Sequence, residues 1–208
     1  MHKKDDIVKI YDDMFNLIGA EKWSVVHEKG LLHQVVHLWI YGDDAQGRWL
    51  YFIQRSKQRE DFPGLLDLPV SGHIDPEETF SHTVVALTQE CLGLKLLPER
   101  LKHAGNIHQV IDSGNYHDNA FCQVYVKEIQ LPVPEFEIHG PEMLFKVKYD
   151  DFCKWIENPE GSLSLFTPEG QFITDSKAED WWWLRKKEFD TVVKPYICLL
   201  YTSPSPRD

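Results

Sequence analysis

The stretch from Val70 to Leu94 constrains the fold more than any other part of the chain: an extended run, a loop, and then a helix of set length closed by glycine. Gly72 to Glu78 reads as a loop containing Pro76. Thr79 suits the N-cap, because its hydroxyl can accept a hydrogen bond from a first-turn N–H that has no helical partner. Phe80, Val84, Leu87 and Cys91 then fall at steps of 4, 3 and 4, the spacing of one helix face. Gly93 closes the helix, since glycine enters the left-handed conformation at little cost.

Strand-like runs lie on both sides. Residues 33–41 and 48–55 alternate and are rich in β-branched and aromatic side chains, and the turn-forming cluster 42–47 between them predicts a hairpin. Residues 7–11 add a short strand, and Phe62-Pro63-Gly64 is a turn followed by an extended run to Val70. Strands are expected near 103–112 and 119–127, a loop at Pro132 and Pro134, a strand at 143–148 and a helix at 149–157. Residues 158–171 read as a surface loop, and a final helix is expected over about 177–193 with Trp181, Trp182 and Trp183 inside it. This order predicts an α/β chain, a mixed sheet with helices on both faces. It reads as one domain over 1–197 that includes the C-terminal helix.

The last eleven residues, 198–208, resemble the translation of a sequencing adapter fused in frame. They are expected to be a non-native tail, with the natural C-terminus missing after Ile197. The net charge of -11 argues against duplex nucleic acid or an anionic membrane as the main partner, since both need a positive surface. No run approaches the roughly 20 apolar residues of a membrane helix, and the first residues carry no secretion signal. The four cysteines lie far apart without a CxxC pair, so reduced thiols and a cytoplasmic location are expected. The sequence carries no signal for oligomeric state.

Gly72, Glu78, Glu90, Gly93 and Leu94 stand in the register of a Nudix box, and the segment resembles that motif. The chain departs from it at Ala86, which replaces an Arg, at Leu87 and Cys91, which replace two of the three helix Glu, and at Thr88, where an apolar residue is usual. Ile53-Gln54-Arg55-Ser56, Phe62-Pro63-Gly64, Leu68 to His73 and Tyr116 to Tyr125 are similar to the isopentenyl-diphosphate-isomerase-like branch of the superfamily. In many relatives an acid sits near the position of Ala120. Those isomerases use a Cys in the strand before the box, and Leu66 to Val70 has none, so isomerase activity is not expected.

The resemblance implies a Nudix α/β/α sandwich built on a mixed sheet and the box loop–helix. It also implies magnesium- or manganese-dependent hydrolysis of an organic or nucleoside diphosphate. Magnesium wants hard oxygen ligands; Leu87 cannot ligate, and Cys91 is a soft ligand. The expected activity is therefore weakened or lost. The alternative is a non-catalytic module, needing no metal, that binds a nucleotide, another small phosphorylated metabolite or a protein.

Within that resemblance Glu90 and Glu142 are the candidate catalytic acids, and Glu90, Glu142 and the Gly72 carbonyl the candidate metal ligands. Arg55, Lys57, Arg59 and His73 are the candidate substrate contacts, the three basic residues through phosphate. Each has a bland counterpart: a solvated carboxylate for Glu90 and Glu142, a solvated charge run for 55–59, and an uninvolved loop histidine for His73.

Overall fold

The computed structural model describes residues 6–59, 61–74, 76–130 and 142–202. The Pro132/Pro134 loop and residues 203–208 of the expected tail lie outside the described residues. The chain divides into two compact units, Met1–Leu38 with Val70–Tyr125 and Trp39–Pro69 with Val126–Asp208. Strands β3 (His33–Asp44) and β8 (Tyr116–Gln130) contribute residues to both.

In the first unit, β1 (Ile7–Tyr11) and β2 (Leu17–Lys22) form an antiparallel hairpin. Its turn is held by Asp12 Oδ1, which accepts the Met14 and Asn16 N–H groups at 2.9 Å each. Helix α1 (Trp23–Lys29) follows, ended by Gly30 at φ 62. A side chain there would be strained by the left-handed backbone and tight against His117 Cβ, 3.2 Å from where a Cβ would sit. Neither β2 nor α1 was expected from sequence: β2 is exposed along its whole length and so shows no alternation, and α1 is too short to show a period.

Strand β6 (Val70–His73) pairs antiparallel with the start of β3, Val36 facing Gly72 and Val35 facing His73. Gly72 and His73 therefore lie in a strand, and the loop expected from Gly72 begins after His73. Helix α2 (Phe80–Leu92) starts and stops where expected, Thr79 capping the His82 N–H and Gly93 at φ 67. Its buried stripe is Thr83, Val84, Thr88 and Leu92, not Phe80, Val84, Leu87 and Cys91. Thr88 can be buried because its hydroxyl donates to the Val84 carbonyl at 2.6 Å, which satisfies the polar group inside the helix. Strand β7 (Lys102–Ser113) folds back on β8 through Gly114 and Asn115, with Gly114 at φ 62.

In the second unit, the end of β3 pairs with β4 (Gly47–Gln54), Asp44 facing Gly47, so the connection is the two residues Ala45 and Gln46. The strands run into the cluster read as a turn. Strand β5 (Leu66–Asp67) pairs with the end of β4, and β9 (Met143–Lys148) pairs with β4 from Trp49↔Lys148 to Gln54↔Met143. Helix α3 (Tyr149–Trp155) follows as expected. Residues 158–171 are not all loop: β10 (Leu163–Phe166) pairs with β11 (Phe172–Ser176), and the turn spans only the residues between. The expected helix over 177–193 is also corrected. Trp181 bridges Leu66 in parallel, and the Trp182 N–H donates to the Leu66 carbonyl at 2.9 Å. Those backbone bonds to a distant segment hold the tryptophans extended. Helix resumes only at α4 (Lys186–Glu188), passes through a π-helical stretch at Phe189–Val193, and continues as α5 (Lys194–Thr202).

Trp181 packs edge-on against Phe52 with ring centres 4.7 Å apart, and Phe52, Phe152, Phe189 and Trp39 complete an aromatic core. Asp67 sits beside it, 3% exposed. Its carboxylate accepts from Arg55 Nη1 at 2.8 Å and from Arg185 Nη2 at 2.9 Å. Arg185 holds φ 51, an uncommon backbone for a side chain of its size. Burial pushes the Asp67 carboxyl up, but Arg185 and Arg55 outweigh it and hold the carboxyl below its usual value.

Asp67→Asn removes the carboxylate that buried Arg185 and Arg55 share, leaving Arg55 only Asp61, and is expected to cost about 3–5 kcal/mol. Because the folded carboxyl is depressed, its stabilisation is complete above the unfolded value of 3.8 and fades as pH falls below it. Urea unfolding should thus show a large gap between parent and variant at neutral pH that narrows in acid. A pH-independent gap contradicts the ion-pair account.

Candidate functional site

On α2, Leu87 and Cys91 are half-buried and Glu90 is exposed. This face offers one carboxylate among three positions. Glu78 lies on the surface with Oε2 3.4 Å from His82 Nδ1, one helical turn away. Gly72 is buried within β6. Glu90, Gly72 and His73 belong to the first unit, while Arg55, Lys57, Arg59 and Glu142 belong to the second. Lys57 is exposed. Arg55 is buried against Asp67 and Asp61, and Arg59 Nη1 lies 3.3 Å from Glu142 Oε1. The structure brings Arg55, Arg59 and Glu142 together through Asp61, and places Glu142 on an arginine.

The first unit contains a second cluster. His27, His33 and His73 bring one ring nitrogen each to within 4.8 Å of one another. His33 opens β3 and His73 closes β6. The Val35↔His73 pairing sets these two rings diagonally on one sheet face, stacked 4.8 Å apart at 20°. His27 comes from α1, its ring 5.0 Å from His33 and 5.1 Å from His73. Trp23 and Tyr116 flank the His27 ring at 4.3 and 4.7 Å. Asp118, on β8, completes the group: its Oδ1 lies 3.5 Å from His27 Nε2 and 3.3 Å from His33 Nε2. Its Oδ2 accepts from Gln109 Nε2 at 2.8 Å.

Backbone carbonyls fix the chemistry of two of these rings. His27 Nδ1 is 2.9 Å from the Trp23 carbonyl and His33 Nδ1 is 2.9 Å from the Leu31 carbonyl. A carbonyl only accepts, so each Nδ1 must carry the proton. In a neutral ring Nε2 is then a lone pair, and both lone pairs face the same carboxylate oxygen. Acceptors turned on acceptors repel, so a positive charge must sit among them: a proton on Nε2 or a metal ion. Burial raises the Asp118 carboxyl, but hydrogen bonds from His27 and His33, which need a proton on Nε2, and the Gln109 amide outweigh it and hold the carboxyl well below its usual value.

The donor set fits a metal. Metal-binding histidines commonly donate their other N–H to a backbone carbonyl, as both rings do. Bonds of about 2.0–2.1 Å to a tetrahedral ion set ligands about 3.3–3.4 Å apart. The two Nε2–Asp118 distances, 3.5 and 3.3 Å, lie close to that edge, while the histidine nitrogens, spread over up to 4.8 Å, must draw in. Three imidazoles and one carboxylate suit manganese, iron or zinc better than magnesium.

Sequence reading picked out His73 alone. His27, His33 and Asp118 lie in three other segments, and nothing local marks them as partners. Asp118 stands two residues before Ala120, the position near which an acid was expected, and so on the same side of β8. Ala120 itself is fully buried.

No family model matches the chain. An uncharacterized Nudix hydrolase of Clostridium acetobutylicum is 26% identical over 157 residues, covering 74% of this chain and 76% of that protein. An isopentenyl-diphosphate Delta-isomerase of Cutibacterium acnes is 30% identical over 139 residues, covering 65% of this chain and 68% of that protein. Among solved structures, a MutT/nudix family protein from Enterococcus faecalis superposes with a TM-score of 0.56 at 13% identity. That match covers 82% of this chain, which spans 64% of the Enterococcus protein. The chain belongs to the Nudix hydrolase superfamily, and its fold is the Nudix α/β/α arrangement.

Cobalt(II) added to the protein is expected to give the strong visible absorption of a four-coordinate site, saturating at one ion per chain. His33→Gln should abolish the band without changing the far-ultraviolet circular dichroism. A parent protein that gives no band holds protons, not metal, among these rings.

Proposed function

We propose that this chain acts on an organic or nucleoside diphosphate, with a divalent ion held by His27, His33, His73 and Asp118 rather than by the box helix. The observation that carries the reading is the pair of Nε2 atoms locked by backbone carbonyls and turned on Asp118. The ion would supply a Lewis acid for the phosphate oxygens and lower the pKa of a bound water. His73 follows Gly72 directly, so the centre adjoins the start of the box. Arg55, Lys57 and Arg59, in the second unit, are taken on their own chemistry as phosphate contacts, with Lys57 the most exposed of the three. Glu90 is then left as an auxiliary carboxylate, and magnesium-dependent hydrolysis of the usual Nudix kind is weak.

A second reading is favoured by Leu87 and Cys91, which take two ligand positions away from α2. In that reading the protein binds a small phosphorylated metabolite and does not cleave it. Among the described residues no helix is long and apolar enough to cross a membrane.

The two readings separate in one experiment. Phosphate release from a panel of nucleoside and organic diphosphates is measured with manganese, for the parent, His33→Gln and Leu87→Glu/Cys91→Glu. The proposal expects parent activity that falls at least about tenfold in His33→Gln, roughly 1.4 kcal/mol or more. Activity that appears only in the double Glu variant identifies the parent as a binding module. Parent activity untouched by His33→Gln places the metal elsewhere and overturns the proposal.

A further inference from the structure

In the second unit, six charged side chains alternate in sign through direct contacts: Arg185, Asp67, Arg55, Asp61, Arg59 and Glu142. Burial splits the row into two halves. The Arg185, Asp67 and Arg55 side chains are 4, 3 and 8% exposed, and those of Asp61, Arg59 and Glu142 are 27, 19 and 16%. Contact lengths divide it one contact later, between Asp61 and Arg59. Asp67 is held at 2.8 and 2.9 Å, within the range of charge-assisted hydrogen bonds. Arg59 lies 3.2 and 3.4 Å from the Asp61 oxygens and 3.3 Å from Glu142, all longer than that range.

Asp61 has a second and closer hold: its carboxylate pairs with Arg55, and its carbonyl accepts from Arg55 Nη2 at 3.1 Å. It is anchored. Glu142 meets the row at one long contact.

We infer that Glu142 is a built-in stand-in for a ligand anion, occupying Arg59 until a phosphate-bearing ligand takes its place. The inference rests on the proposal that the basic side chains after β4 receive the ligand's phosphates. A phosphoryl group presents several acceptor oxygens and more charge, and can span two donors of the guanidinium fork where Glu142 engages one. Giving up the Glu142 contact costs little, because both partners are partly in water and the contact is long. The exchange also selects. A ligand carboxylate gains nothing by replacing one carboxylate with another, whereas a diphosphate does. Glu142 is in this account a specificity-determining residue and not a metal ligand.

The test titrates inorganic pyrophosphate into the full chain in metal-free buffer, by calorimetry, for the parent, Glu142→Gln, Arg59→Gln and the double variant. Melting temperatures confirm that each is folded, and Glu142→Ala repeats the first substitution. Glu142→Gln is expected to tighten binding about two- to fivefold, the scale of a partly exposed ion pair. Arg59→Gln should weaken binding about tenfold or more, and on that background Glu142→Gln should change nothing. Unchanged or weaker binding in Glu142→Gln overturns the inference. So does tightening that survives the loss of Arg59, or no measurable binding by any form. Manganese titration of Glu142→Gln should match the parent, and a loss there identifies Glu142 as a metal ligand and also overturns it. The His33→Gln result is read from metal-dependent activity, so either idea can fail while the other stands.

Discussion

The carbonyl oxygens of Trp23 and Leu31 decide what the histidine centre can be. Each takes the Nδ1 proton of a buried imidazole and thereby turns an Nε2 lone pair inward. Neither bond depends on a distant partner: one closes a turn of α1, the other reaches back two residues at the start of β3. Asp118 then supplies negative charge where two lone pairs already point, and Gln109 keeps the carboxylate aimed by holding its other oxygen. A site with this electron density and no compensating cation is unfavourable in a buried setting.

Much of the fold was legible because its signals are local. Alternation in 33–41 and 48–55 gave one hairpin, and Thr79 and Gly93 bracketed α2 to the residue. The failures share a cause, which is that distant partners overrode local pattern. Trp181–Trp183 look helical in a run of charged neighbours, but Leu66 pairs with the backbone of Trp181 and Trp182. Leu163–Phe166 and Phe172–Ser176 are short and lie among Gly and Pro, so their pairing is visible only once both are seen together. The stripe of α2 was misread because Thr88 is polar by composition, yet its hydroxyl is satisfied by its own helix and needs no solvent.

The candidate site was less legible than the fold. The box register singled out Gly72 and His73 but read them as loop, where the structure has β6, and Leu87 and Cys91 were visible as positions without a carboxylate. The histidine cluster and Asp118 come from α1, β3, β6 and β8, at residues 27, 33, 73 and 118, and no spacing rule joins them. The basic residues after β4 were visible as a run, but not the carboxylates that meet them. Asp67 and Asp61 lie across a turn from Arg55, and Glu142 lies 83 residues beyond Arg59.

Trp23 has one further consequence. It gives its carbonyl to His27 and lays its indole 4.3 Å from the same imidazole. An indole in contact with a ligand ring is within quenching range of any open-shell ion that the ring binds. Copper or cobalt would dim this tryptophan, whereas zinc, with its filled shell, would leave it bright. Trp23 would thus be an optical gauge of any ion bound at the proposed centre, in the residue that also orients His27.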